Sequence, residues 1–109
     1  MNKYRNKKVV IDNIKFDSQL EANRYVELKL LQRAGKIKKL RLQVPFVLQE
    51  GFKKNGKSYQ AIKYIADFVY EENGRTVVED TKGMQTDVFK IKHKLFEKKY
   101  PDLELRLIK

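Results

Sequence analysis

The run AIKYIADFVYEENGRTVVEDTKG, residues 61–83, constrains the fold more than any other part of the chain. Asn73-Gly74 sits between two stretches rich in β-branched and aromatic residues. This is the strongest short-range hairpin signal, because both turn residues tolerate the left-handed backbone that a two-residue connection needs. Such a turn sets the register: Glu72 faces Arg75, Tyr70 faces Val77, Phe68 faces Glu79 and Asp67 faces Asp80. Strict alternation puts Ile65, Asp67 and Val69 on one face with Asp80 and Lys82, and Tyr64, Ala66 and Phe68 on the other with Glu79. A strand apolar on both faces is central and covered from both sides.

The flanking segments extend the pattern. Residues 1–8, MNKYRNKK, form an expected flexible basic arm, and residues 9–109 a single domain. VVIDNIKF contains a small hairpin around Asp12-Asn13. DSQLEANRYVELKLLQRAGK has the grammar of a helix from Ser18 to Ala34, with Ser18 and Glu21 at capping-box spacing and Gly35 as the stop. A long strand, IKKLRLQVPFVLQEGF, is interrupted at Pro45, and KKNGKS is a turn or flexible loop. TDVFKIKHKLFEKKY is a second helix ending before Pro101, and LELRLIK is a final strand. After the small hairpin the order is α, β, β, β, α, β, an α/β domain.

Charge narrows the partners. Twenty-five Lys+Arg against 14 Asp+Glu leave +11 on 109 residues, which points to a polyanion. The chain has no cysteine, so disulfide frameworks and thiolate metal sites are excluded. No run approaches a membrane span and no apolar stretch follows the basic N-terminus, so the expected location is cytoplasmic. On the second helix Lys90, Lys94 and Lys98 fall on one stripe and Val88, Ile91 and Leu95 on an apolar one. The lysine stripe, Gln85 and Thr86 at the helix start, Lys53, Lys54 and Lys57 in the loop, and the arm residues Lys3, Arg5, Lys7 and Lys8 are candidate phosphate contacts. A lysine row is also what an ordinary solvated helix face looks like. His93 lies among these residues and reads as a surface residue.

Opposed aspartates in an apolar hairpin need an explanation, since like charges directly across a ladder are destabilising. A shared proton or a divalent cation can hold them together. Oxygen donors without nearby histidine or cysteine favour Mg²⁺ or Mn²⁺ over zinc, and Lys82 adds a fixed positive charge. This equipment suits phosphodiester hydrolysis. The alternative is an ion pair between Lys82 and the aspartates at a frayed strand end, with no chemistry.

An acid on one strand, then acid-any-lysine on the next, between helices in this order, resembles the PD-(D/E)XK nuclease superfamily, with Asp67 and Asp80-Thr81-Lys82 matching its motif. DSQLEANRY, AGKI, YIADFVY and VVEDTKG together look like a family of small phage-encoded nucleases related to Holliday junction resolvases, over Phe16 to the C-terminus. The proline that names the motif is absent, Ile65-Ala66 preceding Asp67, and Glu79-Asp80 offers two acids, of which alternation selects Asp80.

The resemblance implies a restriction-endonuclease-like αβββαβ core with a central mixed sheet flanked by helices, and an Mg²⁺- or Mn²⁺-dependent endodeoxyribonuclease. Its metal would be held by Asp67, Asp80 and Glu21, with Lys82 catalytic. Glu21 could instead serve only the helix cap, and Glu79 is structural, paired with a nearby lysine. Gln43 is a site-proximal candidate, although a strand glutamine is more often solvated or bonded to backbone. The implied substrate is branched DNA in phage recombination, replication or packaging, cut by a homodimer in a bacterial host cell. A nickase, a transposase-like end cleaver and a non-catalytic nucleic-acid-binding protein retaining the fold are the rival expectations.

Overall fold

Three residue pairs, Asp12-Asn13, Asn55-Gly56 and Asn73-Gly74, take positive φ angles of 54° and 64°, 54° and 76°, and 53° and 78°. Each closes a two-residue hairpin of the kind whose twist matches its strands. The computed structural model describes residues 8–81 and 85–109. In chain order the elements are β1 (Val9–Ile11), β2 (Ile14–Phe16), α1 (Gln19–Arg33), β3 (Lys38–Gln49), β4 (Phe52–Lys54), β5 (Lys57–Tyr59), β6 (Ile62–Glu72), β7 (Arg75–Thr81), α2 (Asp87–Lys99) and β8 (Glu104–Ile108). The expected loop at KKNGKS is therefore a hairpin of its own, β4 paired with β5, because Asn55-Gly56 is as good a turn as Asn73-Gly74. Of the expected basic arm, all but Lys8 lies outside the described residues, as does Lys82.

The central sheet has four strands in the order β3-β6-β7-β8. Its first three are antiparallel, and β8 returns through α2 to lie parallel to β7, so the sheet is mixed. Pro45 is accommodated because β3 is an edge strand and has only one neighbour to bond.

Two cores form, one on each side of the sheet. Ala22, Tyr25 and Leu28 of α1 pack with Phe68, Tyr70 and Val77. Phe89 and Phe96 of α2 pack with Tyr64, Ala66, Val69 and Val78. The consecutive residues Val77 and Val78 thus serve opposite cores, as a central strand requires.

Alternation nevertheless breaks at one level. Leu40 and Leu42 of β3 join the α1 core, whereas Val44, Phe46 and Leu48 join the α2 core. Along β6 the same switch separates Tyr64 and Ala66 from Phe68 and Tyr70. Both strands turn over between the pairs Leu42↔Phe68 and Val44↔Ala66, where Gln43 has a left-handed φ of 53°. The face assignment made by strict alternation is corrected here: Phe68 leaves Tyr64 and Ala66, and Ile65 is 55% exposed. Gln43 and Asp67 stand at the turnover.

Helix α2 also corrects an expectation. Its buried residues are Phe89 and Phe96, while Val88 and Ile91 are 62% and 60% exposed and Leu95 lies at 36%. The two phenylalanines engage Tyr64, Phe46 and Tyr100 by ring contacts, so the larger aromatic area sets the rotation of the helix. Among the described residues no helix is long and apolar enough to cross a membrane.

Candidate active site

Ser18 caps α1, its hydroxyl accepting the Glu21 N–H at 3.1 Å. That cap sets the first turn of the helix so that Glu21 is buried against the sheet. The Glu21 carboxylate accepts the Gln43 side-chain amide at 3.1 Å, and the same nitrogen lies 3.4 Å from Asp67 Oδ1. Gln43 reaches both because its left-handed backbone aims it out of the regular pleat. Burial, followed by the charges of Asp67 and Asp17, pushes Glu21 up to about 7, against smaller opposing effects of the Asp17 backbone N–H and Lys8.

Asp67 is half-buried on β6. Its Oδ2 accepts both the backbone N–H and the hydroxyl of Thr81 at 2.8 Å. The hairpin register agrees with the sequence from Glu72↔Arg75 to Phe68↔Glu79, and the ladder ends there. Asp67 and Asp80 are therefore not a ladder pair: the Asp67 carboxylate takes the Thr81 amide, and buried Asp80 accepts the Tyr64 hydroxyl at Oδ2, 2.7 Å away. Burial and the charges of Asp80 and Asp67 raise the Tyr64 phenol, which keeps it a donor. Both aspartates thus act on the Tyr64 phenol, and Asp67 also acts on Glu21.

Glu79 is the other charge of β7, fully buried on the α1 side. Arg24 grips it with two hydrogen bonds, Nε to Oε1 at 2.8 Å and Nη2 to Oε2 at 2.5 Å, and the Tyr70 hydroxyl donates to Oε2. Its partner is thus an arginine from α1, where a lysine was expected. The expectation that Glu79 faces away from Asp80 holds, and the two acids have separate partners.

Among the described residues no group of three or more histidine, cysteine, aspartate or glutamate side chains is spaced to hold a metal ion. Glu21, Asp67 and Asp80 are instead each engaged by a neutral donor: Gln43, Thr81 and Tyr64 respectively. The donor chemistry nonetheless fits a hard divalent cation, being carboxylate oxygen throughout.

The expected phosphate contacts divide. Lys90, Lys94 and Lys98 are all exposed, as are Lys53, Lys54 and Lys57. The Thr86 hydroxyl is occupied as the α2 cap, accepting the Phe89 N–H at 3.1 Å, with half-buried Gln85 before it. His93 stacks on Phe89 at 5.8 Å and lies 3.8 Å from Glu97. Lys8 pairs with Asp17.

Three contributors escape sequence reasoning. Tyr64 reads as core, Thr81 as the variable position between acid and lysine, and Arg24 as a solvated helix residue. None left a local signal for its role: the acid that Arg24 holds lies 55 residues along the chain.

Fold and site together define a mixed α/β domain with an acidic cluster where a β-ribbon turns over beside a helix N-terminus. The family described as "Protein of unknown function (DUF1064)" matches residues 1–109, and the chain belongs to it. No curated protein matches the chain.

Proposed function

We propose that this protein is an Mg²⁺- or Mn²⁺-dependent DNA endonuclease of the PD-(D/E)XK type, built on a restriction-endonuclease-like αβββαβ core. The observation that carries this reading is the Gln43 amide, which stands 3.1 Å from Glu21 of α1 and 3.4 Å from Asp67 of β6, with buried Asp80 held by the Tyr64 hydroxyl on neighbouring β7. Asp67 raises Glu21 further, and Asp67 and Asp80 both act on the Tyr64 phenol.

Asp67, Asp80 and Glu21 would hold the cation, which supplies positive charge to the scissile phosphate and activates water. Asp67 keeps Oδ2 on Thr81 and offers Oδ1, whose contact to Gln43 is long. The Tyr64 hydroxyl orients Asp80. Glu21, raised to about 7, is partly protonated near neutral pH, and a bound cation would favour its ionised form. Lys82 orients the attacking water or stabilises charge developing on the phosphate. The +11 charge draws the DNA backbone to the protein, with Lys90, Lys94 and Lys98 contacting phosphates.

The substrate proposed is branched DNA, in phage recombination, replication or packaging inside a bacterial host cell. Symmetric cutting of two strands assigns the work to a homodimer.

The test is cleavage of a labelled four-way junction and its matched linear duplex in Mg²⁺ or Mn²⁺, with Ca²⁺ and chelator controls, by wild type, Asp80→Asn and Lys82→Ala. Metal-dependent junction cuts lost in both variants support the full reading. Duplex cutting alone keeps the nuclease and removes the junction. Equal activity in the variants overturns the site, and tight metal-independent binding without cleavage of either DNA leaves a non-catalytic binder on this fold.

A further inference from the structure

Between β3 and β6 the chain leaves the central sheet to form the β4–β5 hairpin, a two-stranded sheet of its own. Its register is Phe52↔Tyr59, Lys53↔Ser58 and Lys54↔Lys57, and all six residues are exposed. Cross-strand partners share a face, and so do residues two apart. One face of the hairpin therefore carries Phe52, Tyr59, Lys54 and Lys57, and the other carries Lys53 and Ser58.

The aromatic pair is unusual for a solvent-facing ribbon. The two rings stack with centroids 4.8 Å apart and planes 12° from parallel, yet remain 47% and 40% exposed. Lys57 Nζ stands 5.4 Å from the centroid of Tyr59. Toward the turn, Lys54 and Lys57 are directly opposed, and among the described residues neither has an acidic partner. The base of the ribbon is tightly packed: a Cβ at Gly51 would lie 2.9 Å from the Tyr59 carbonyl oxygen and 3.2 Å from the Ala61 nitrogen. The two arms of the hairpin thus meet closely at its base.

Ordinary structural explanations cover only part of this. Lysines blunt exposed strand edges against aggregation, but a half-exposed pair of rings on so short a ribbon works in the opposite direction. A cross-strand aromatic pair strengthens a hairpin, but opposed lysines weaken it. Stacked rings beside unpaired lysines match the two demands of single-stranded nucleic acid, whose bases offer open π-faces and whose backbone offers phosphates. In continuous duplex the base faces are already covered by their neighbours.

We propose that the β4–β5 hairpin is a binding site for unpaired DNA, a base stacking on the Phe52–Tyr59 ring pair while Lys54 and Lys57, on the same face, engage the adjoining phosphates. As a binding site it stands apart from catalysis. As a statement about substrate it rests on the nuclease reading and directs that enzyme to DNA with unstacked bases at a branch, gap or flap.

The chain has no tryptophan, so Phe52→Trp places a single tryptophan at the site, which can be excited selectively over the tyrosines. Titration with oligothymidylate in chelator, where no cleavage intervenes, is expected to quench that tryptophan to saturation. Phe52→Leu and Tyr59→Leu, which keep apolar volume but remove a ring, should each weaken oligothymidylate binding about tenfold and change duplex binding by less than about twofold. Tyr59→Phe should bind like wild type. Changing Lys54 and Lys57 to Ala should weaken both DNAs and flatten the salt dependence. An unquenched tryptophan in a protein that has bound oligothymidylate overturns the proposal. So does absence of single-strand binding, or equal loss on both DNAs in the leucine variants. Because cleavage is not the readout, an inactive nuclease with a quenched tryptophan sinks the catalytic reading and leaves this one standing.

Discussion

Arg24 holds Glu79 by two hydrogen bonds, Nε to Oε1 at 2.8 Å and Nη2 to Oε2 at 2.5 Å, joining the second turn of α1 to the buried side of β7. Glu21 is three residues before Arg24 on the same helix, and Asp80 follows Glu79 on the same strand. The ion pair therefore sets where one edge of the acidic cluster stands relative to the other. Hydrogen bonding by Glu79 raises the Arg24 guanidinium further, so the arginine stays charged.

Removing one partner leaves the other charge buried. Arg24→Ala should destabilise the fold by about 3–5 kcal/mol in urea unfolding, since Glu79 is fully buried. Adding Glu79→Leu to that variant should recover a large part of the loss. A loss under about 1 kcal/mol for Arg24→Ala alone would contradict the geometry.

Glu21 predicts a pH dependence of stability. Its folded value of about 7 lies above its ordinary 4.5, so in that window the folded state keeps a proton that the unfolded state has lost. Stability is therefore favoured at low pH and falls as pH rises from 4.5 through 7. The full effect is on the order of 3 kcal/mol. Glu21→Gln should be more stable than wild type at about pH 8, and the gap should close toward about pH 5. A constant gap across that range would show that Glu21 titrates normally.

Cleavage should depend on Asp80 and Lys82 more than the fold does. Asp80→Asn preserves an oxygen for the Tyr64 hydroxyl, so unfolding should shift by no more than about 2 kcal/mol. Activity in Mg²⁺ should drop at least about a hundredfold in Asp80→Asn and in Lys82→Ala, with DNA affinity in chelator nearly unchanged. Parallel loss of binding and cleavage would assign these residues to DNA docking instead.

The exposed row Lys90, Lys94 and Lys98 should appear in salt dependence. Replacing all three with Ala should reduce the slope of log affinity against log salt by up to about 3 on duplex DNA, near one for each phosphate that is no longer neutralised. An unchanged slope would make the row an ordinary solvated helix face.

Much of the secondary structure was legible locally. Asn73-Gly74 determines a hairpin and its register because a two-residue left-handed turn leaves no freedom in pairing, and the register holds to Phe68↔Glu79. Ser18 determines the start of α1 and Thr86 that of α2, because a side-chain oxygen beside free helix N–H groups acts within a few residues. Asn55-Gly56 carried the same signal as the longer hairpin, but the lysines around it read as loop; the short, fully exposed strands it joins carry no buried alternation.

The rest was settled by packing. Strict alternation could not anticipate that β3 and β6 turn over together at Gln43 and Asp67, because that depends on two cores competing for consecutive residues of both strands. Nor could the α2 sequence choose between the Val88, Ile91, Leu95 stripe and the Phe89, Phe96 face, since periodicity measures apolar spacing and not which partners wait across the interface. Turns, caps and charge are local properties, written in neighbouring residues and readable without a fold. Glu21 beside Gln43 and Asp67, Tyr64 on Asp80 and Arg24 on Glu79 join residues 16 to 55 positions apart, and only the folded chain brings such groups within a hydrogen bond.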